Sequence, residues 1–249
     1  MKKIFFLFLL GVINDVSAQS LIGGDNIIKT NLSSDLLQNY NITYERNLNH
    51  FMSASISYRN MSKTKLPLKS LAKKFISNDN IDFDNFELGN NALTAELRFY
   101  LGLSKMSGFY IAPYARSATF DLTIPINYSY TPAQTIPGVI PKEIPLKSNL
   151  DGAIRSTSYG AYIGIQKQLL TKLVIDIWLI GGHYGSSNGN LKFVAPEKLP
   201  SQAVTALQTT LDDSKLNPFE IKSKVDQNGA TADMKGPWAG IRGLGISLG

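Results

Sequence analysis

The residues of greatest chemical interest are His183, Ser186 and Ser187, which fall in one short run, HYGSSNG, at positions 183–189. A histidine and a serine could act as the base and the nucleophile of a hydrolase if an acidic group orients the histidine. In an extended strand, adjoining residues on one face are two positions apart, and Gly185 occupies that position relative to His183. The sequence offers no recognisable acid for the set. We therefore predict no catalytic residues and a chain that is not an enzyme.

Metal ions also lack a recognisable site in the sequence. The chain has two histidines, His50 and His183, and no cysteine, so ligands for a transition metal are scarce. The segment NDNIDFD at 78–84 is rich in carboxylates, but it lacks the glycine and the terminal glutamate of an EF-hand calcium loop. We predict neither a metal nor a cofactor.

Residues 1–18 have the pattern of a secretory signal peptide. Lys2 and Lys3 precede an apolar run that ends at Ile13, and residues 16–18 supply the pattern of a cleavage site. Cleavage after Ala18 predicts a single mature domain over 19–249. The chain has no cysteine, which excludes disulfides and a lipid anchor at the cleavage point.

The segment KLVIDIWLIGG at 172–182 indicates how the mature chain could cross a membrane. A spanning helix needs about 20 apolar residues, and the sequence after residue 20 has no such stretch. A spanning β-strand needs only about 9–11 residues, with alternate side chains facing lipid and a polar lumen. Ile175 and Ile177 would then face lipid and Asp176 the lumen. A soluble buried strand with one polar residue fits the same segment, so the other strands must decide.

Period-two alternation recurs in eight segments that are separated by turn residues. The segments are 28–36, 40–46, 52–58, 93–101, 109–120, 159–167, 172–182 and 238–248. Pro113 predicts a bulge or a weak position in the strand ladder. Arg242 falls on an apolar face and predicts a bulge or a position at the barrel rim.

The connections between these strands alternate between short turns and segments of several tens of residues. Outer-membrane barrels have short periplasmic turns at one end, long extracellular loops at the other, and an even number of strands. We therefore predict an all-β fold, an eight-stranded antiparallel transmembrane β-barrel with long extracellular loops. These loops are predicted to carry short helices at Leu66–Phe75 and Ser201–Leu211, and an extended segment at Thr131–Asn149. A soluble, secreted β-sandwich is the competing fold.

Charged residues recur on the predicted inward faces of the strands. They are Lys29, Asp35, Glu45, Arg59, Glu96, Arg98, Arg116 and Asp176. The interior of an eight-stranded barrel is just wide enough to be filled by side chains, and an unpaired buried charge is costly. We predict that these residues form a structural ion-pair network that plugs the lumen, which argues against an open pore.

Four stretches resemble a family of porin-like outer-membrane barrels from Bacteroidota whose activity is not settled. They are Ile28–Leu32, Phe109–Arg116, Gly182–Gly185 and Gly236–Arg242. The resemblance implies an eight-stranded barrel in the cell outer membrane, in contact with outer-membrane lipid, lipopolysaccharide and the assembly machinery. Such barrels usually end on an aromatic residue that this machinery reads, whereas this chain ends at Leu248-Gly249. Either further residues follow or the assembly signal differs.

The predicted role is structural or surface-interacting, with the long loops meeting an extracellular ligand or a host surface. Part of the net charge of +6 lies in a run from Lys63 to Lys74, without any nucleic-acid-binding motif. We assign that run to anionic lipid head groups and predict no nucleic-acid partner. A narrow passive channel for small solutes is one alternative function. A lipid A-modifying hydrolase is another, because the stretch at 183–189 resembles the His-Ser-Asn stretch of lipid A deacylases, which are also outer-membrane barrels.

Overall fold

Antiparallel strands account for most of the described chain. The computed structural model describes residues 25–66, 70, 73, 78–102, 104–134, 140–170, 173–214 and 218–249. The predicted signal peptide and most of the predicted helix at 66–75 lie outside these residues. The strands are β1 (Asn26–Asn31), β2 (Tyr40–Asn49), β3 (Met52–Lys65), β4 (Glu87–Tyr100), β5 (Gly108–Tyr130), β6 (Ile144–Leu170), β7 (Leu173–Val194), β8 (Glu220–Asp226), β9 (Gly229–Pro237), β10 (Gly240–Arg242) and β11 (Gly245–Leu248). Helix α1 spans Leu32–Asp35 and helix α2 spans Ser201–Asp213.

Eight strands close into an antiparallel ring. Strands β1 to β7 pair in sequence order, and β11 pairs with both β7 and β1. Leu248 lies opposite Ile175 on one side of β11 and opposite Thr30 on the other. The predicted eight-stranded antiparallel fold is confirmed, and the competing β-sandwich is wrong.

The closing strand of the ring is the end of a longer, interrupted strand. β9, β10 and β11 follow β7 in one register, although pairing stops at residues 238–239 and 243–244. On its other side β7 shifts register against β6, and the consecutive side chains of Leu179 and Ile180 both point outward. The predicted irregularity next to Arg242 is confirmed. Its effect is to turn the Arg242 side chain into the barrel.

Pro113 is tolerated because the ladder is weak at that point. The β4–β5 pairing passes from Glu96–Tyr114 to Phe99–Ile111 without pairs between them and without a change of register. A proline nitrogen cannot donate to the ladder, so this gap confirms the predicted weak position.

The first strand is shorter than the predicted segment 28–36. β1 ends at Asn31, whose side-chain oxygen accepts a hydrogen bond from the Ser34 backbone N at 2.7 Å. This is the N-cap arrangement that asparagine favours, and it starts α1 where the alternation predicted more strand. Asp35 therefore lies on a helix and not on an inward strand position.

Several strands are much longer than predicted, among them β3, which continues to Lys65. β5 continues to Tyr130, β6 begins at Ile144 and β7 continues to Val194, while the β8–β9 hairpin extends the sheet beyond β7. Strand therefore replaces part of each predicted long loop, and the predicted extended segment ends in β6. We call this part of the molecule, the described residues within 78–92, 117–157 and 185–237, the outer lobe.

The outer lobe has its own apolar core. The helix predicted at Ser201–Leu211 is confirmed as α2, and its buried face packs on the inner face of the sheet. The buried core residues include Leu122, Ile124, Ile126, Leu150, Leu191, Ala203, Leu207, Leu211 and Met234.

At the surface, the Lys147 ammonium donates to Asp82 Oδ2 at 2.5 Å. This hydrogen bond, together with one from Asn85, holds the pKa of Asp82 well below its usual range.

The polarity of the two faces inverts along single strands. In the ring, the outward face of β5 carries exposed Ile111 and the inward face carries Arg116. In the outer lobe, the inward face of the same strand carries buried Leu122 and the outward face carries Asp121. β5 and β6 pair in one register throughout, so no slip of the strand produces the change. The ring has an apolar exterior and a polar interior, and the outer lobe has the reverse.

None of the helices in the described ranges has the length and apolar character needed to cross a bilayer.

Candidate functional site

The barrel interior collects most of the charged side chains that the alternation placed inward. At its centre, Lys29 Nζ lies 2.5 Å from Glu45 Oε2 and 2.8 Å from Asp176 Oδ2. It also donates to Gln166 Oε1 at 2.7 Å. All three N–H groups of the ammonium therefore donate a hydrogen bond, as a buried lysine requires.

Arg98 contacts the two carboxylates that Lys29 reaches and also Glu96, which Lys29 does not reach. Its Nη1 donates to Asp176 Oδ2 at 2.6 Å and to Glu45 Oε2 at 3.3 Å, and its Nη2 donates to Glu96 Oε2 at 2.9 Å. The guanidinium also lies over the Tyr110 ring, 4.8 Å from its centroid. One arginine thus contacts all three carboxylates of the cluster.

Hydroxyl groups complete the hydrogen bonding of these carboxylates. The donors are Ser53 and Tyr100 to Glu45, Ser55 and Tyr162 to Glu96, and Tyr110 to Asp176, at distances of 2.5 to 3.0 Å. These residues were absent from the predicted network, because only charges were considered. The alternation that places Glu96 and Arg98 inward also places Tyr100 inward. The sequence therefore contained the information that Tyr100 lines the interior.

The central cluster leaves no space for water. Glu45, Asp176 and Gln166 are 0% exposed, Arg98 is 1% exposed and Lys29 is 2% exposed. Groups that line an aqueous pore keep surface that a water molecule can touch, and these groups do not. The inner half of the barrel is plugged.

Three of the predicted network residues lie outside the cluster. Asp35, on α1, accepts hydrogen bonds from Thr30 Oγ1 at 2.6 Å and from the Asn41 backbone N at 3.3 Å. Arg59 and Arg116 do face inward, nearer to the outer lobe. Within the described chain, neither has an ion pair or a hydrogen bond, although the charges of Asp35 and Glu96 act on Arg59.

Arg242 and His183 join the interior because of the irregularity in β7 and the closing strand. Arg242 Nη1 lies 3.4 Å from Glu96 Oε1, and its guanidinium lies 3.9 Å from the Trp178 ring centroid and 4.5 Å from that of Tyr162. His183 lies opposite Gly240. Both residues fall on the wrong face when alternation is counted without a bulge, which is why the predicted network omits them.

A cavity of about 510 Å³ lies at the mouth of the barrel, where the ring meets the outer lobe. We call it the mouth cavity. Its lining residues are Arg116, Phe120, His183, Pro218, Phe219, Pro237, Trp238, Ala239 and Gly240. Strand direction puts Arg116 and His183 deeper in the barrel than Phe120 and Trp238, whose ring centroids are 4.9 Å apart.

The serines after His183 are not presented to it. Ser186 is exposed on the outer face of β7, and Ser187 Oγ donates to the Gly236 carbonyl at 3.2 Å. Among the described residues, no three acidic or histidine side chains are placed to hold a metal ion.

Comparison of the chain with protein-family models, with curated proteins and with solved structures found no match.

Proposed function

We propose that the protein is an integral outer-membrane β-barrel with a plugged lumen, which presents the outer lobe to the cell exterior for interaction with a surface or a ligand. The observation that carries this proposal is the inversion of polarity along β5. A strand of a soluble protein keeps its apolar face on one core, whereas this strand has an apolar exterior in the ring and an apolar interior in the outer lobe. Exposure to lipid over one part of the strand accounts for both.

The apolar exterior forms a band around the ring. It includes Ile28, Ile42, Ile56, Leu93, Leu97, Phe99, Phe109, Ile111, Ile163, Leu179, Ile180, Ile241 and Ile246, all exposed. Tyr40, Tyr58, Tyr159 and Tyr184 are exposed at the edge toward the outer lobe, where aromatic girdles of membrane barrels lie. A band of this extent on a water-soluble monomer would be an aggregation site.

The orientation follows from the connections. The short β2–β3, β4–β5 and β6–β7 connections and Gly249 lie at one end of the ring, and the outer lobe lies at the other. Short turns face the periplasm in outer-membrane barrels. The outer lobe would therefore face outward, and the resemblance to the Bacteroidota family supports the same location. The plugged centre favours this role over a passive channel.

An arginine placed in the band tests the proposal. Ile111→Arg puts a charge on the outward face of β5 within the band, and Thr123→Arg puts one on the same face and strand in the outer lobe, opposite Glu87 and Asp151. In a membrane, we expect Ile111→Arg to lower the free energy of unfolding by about 2–4 kcal/mol and Thr123→Arg by less than about 1 kcal/mol. Denaturant titration of the protein refolded in phospholipid vesicles measures both.

The outcome in a soluble protein would be different. Ile111 is 45% exposed, so an arginine there would change the free energy of unfolding by no more than about 0.5 kcal/mol. Equal stabilities of the two variants would contradict the proposal. Recovery of the wild-type protein in the aqueous phase, with no difference in gel mobility between heated and unheated samples, would contradict it as well.

A further inference from the structure

The charges in the barrel interior do not balance at the mouth. The three buried carboxylates, Glu45, Glu96 and Asp176, are matched by Lys29, Arg98 and Arg242. Arg59 and Arg116 add two further positive charges, which are unpaired within the described part of the chain. The charges of Arg59, Arg116 and Arg242 repel one another, and those of Arg116 and Arg242 also act on His183. Two carboxylates act on this group, Asp35 on Arg59 and Glu96 on both Arg59 and Arg116. Both already accept hydrogen bonds, Asp35 from Thr30 and Asn41, and Glu96 from Arg98, Tyr162 and Ser55.

Partly buried arginines without counter-charges need an anion, because desolvated charge is costly unless it is paired. An anion in the mouth cavity would lie against Arg116 and His183, which line it. A guanidinium pairs with a carboxylate through two parallel hydrogen bonds, and the imidazole of His183 can donate a third.

The outer part of the mouth cavity selects the rest of the ligand. Phe120, Phe219 and Trp238 form an aromatic cluster there, with Phe219 and Trp238 centroids 6.3 Å apart. Aromatic walls favour a flat apolar group that can stack on them. A cavity of about 510 Å³ falls within the range of sites for small organic ligands. The absence of a side chain at Gly240 keeps the space beside the His183 ring open. A Cβ at position 240 would lie 2.8 Å from Cε1 of His183.

We propose that the mouth cavity binds a small organic anion, a carboxylate carried on a flat apolar body, with Arg116 and His183 at the carboxylate and Phe120 and Trp238 against the body. This assignment names the ligand class of the outward surface, and it rests on the proposed function only in that the mouth faces the cell exterior. The outer groove lined by Arg155, Lys222 and Lys235 is a weaker site for an anion, because Glu220 and Asp233 line it too.

Calorimetry on the protein in phosphatidylcholine nanodiscs tests the inference, with 2-naphthoate and its neutral analogue 2-naphthamide as probes. We expect saturable binding of one 2-naphthoate per chain and at least about tenfold weaker binding of 2-naphthamide. Arg116→Gln should weaken 2-naphthoate binding at least about tenfold, and Trp238→Ala should weaken both probes. Arg155→Gln, which removes an arginine from the outer face of the neighbouring strand, should leave binding unchanged. Empty nanodiscs correct for partitioning into lipid.

Equal affinity for the two probes, unchanged binding in Arg116→Gln, or no saturable binding by the wild type would each overturn the inference. Each variant must show the heat-dependent gel shift of the wild type, so that a loss of binding is not a loss of fold. The gel shift and fractionation report on the membrane barrel, and calorimetry reports on the cavity. Either proposal can therefore fail while the other holds.

Discussion

Lys29 and Arg98 hold three carboxylates at the centre of the barrel, and each charge there depends on the others. Removing one partner of a buried pair leaves an uncompensated charge in a space without water. The hydroxyl groups of Tyr100 and Tyr110 contribute donors but no charge. They can orient a carboxylate without replacing a missing cation. The cluster should therefore be sensitive to single substitutions and less sensitive to matched pairs of substitutions.

Lys29→Met tests this dependence. We expect the free energy of unfolding to fall by about 3–5 kcal/mol, because Glu45 and Asp176 then share Arg98 alone. Adding Glu45→Gln removes the excess negative charge and should recover part of the loss. Denaturant titration in vesicles measures the three proteins. Lys105→Met is the control, since Lys105 and Asp25 form a pair whose side chains are more than half exposed, with an expected change below about 1 kcal/mol. Similar losses in Lys29→Met and Lys105→Met would refute the account of the cluster.

Gly164 provides a second test at the scale of one residue. A Cβ there would lie 2.5 Å from Cζ and Oη of Tyr110, whose hydroxyl donates to Asp176 at 2.5 Å. Gly164→Ala should displace the ring and lower the free energy of unfolding by about 1–3 kcal/mol. Gly243 has no atom within 4 Å of the corresponding Cβ position, so Gly243→Ala should change it by less than about 0.5 kcal/mol. A neutral Gly164→Ala would show that Tyr110 has room to move.

At the scale of the strands, alternation predicted the ring well and the outer lobe poorly. In the ring one face is apolar and the other polar, so the segment predicted at 93–101 is found in β4 as far as Tyr100, with its faces as predicted. In β5 and β6 the apolar face changes from the outward to the inward side at the border of the outer lobe. A stretch of sequence that crosses this border therefore shows no regular alternation of apolar and polar residues. Five residues of strand, 32–36, were wrongly predicted after Asn31, because a side-chain cap competes with pairing there.

The set of inward-facing charged residues was predicted only in part, again because alternation is interrupted in some strands. Lys29, Glu45, Glu96, Arg98 and Asp176 lie on strands whose alternation runs without a break up to those residues, and the structure brings them together. His183 lies beyond the bulge in β7, whose position the sequence pattern does not indicate, whereas the mismatch at Arg242 predicted an irregularity but not the direction of its side chain. Their inward direction comes from the pairing of β7 with two neighbours.

Helix α2 gives a prediction that belongs to the outer lobe alone. Leu207 is 0% exposed between α2 and the sheet, so Leu207→Ala should lower the stability of the lobe by about 2–5 kcal/mol. Faster amide hydrogen exchange in α2, β8 and β9, with unchanged exchange in β2 and β3, is the expected readout. Thr209→Ala, at an exposed position of the same helix, should leave exchange unchanged. Loss of protection throughout the ring would show that the lobe and the barrel unfold as one unit.

For the whole molecule, the plugged centre predicts an absence of conductance. Because Glu45 and Asp176 have no water-accessible surface, the barrel has no continuous aqueous path at their level. The protein inserted in a planar bilayer should give current at the baseline of the bare membrane. Heat-unfolded protein at the same concentration serves as the control for leakage. Discrete, reproducible opening steps from the folded protein would contradict the plug and restore the passive channel as the function.

The uninterrupted pairing of β5 with β6 sets a limit on how the protein can be engineered. One ladder runs from Gly108–Gln166 in the ring to Tyr130–Ile144 in the outer lobe, and β9 to β11 follow β7 in one register with two short interruptions. The lobe is therefore not a cassette that can be cut off at the membrane surface and exchanged. A foreign epitope for display should be grafted where the chain leaves the ladder, as at residues 195–200 between β7 and α2.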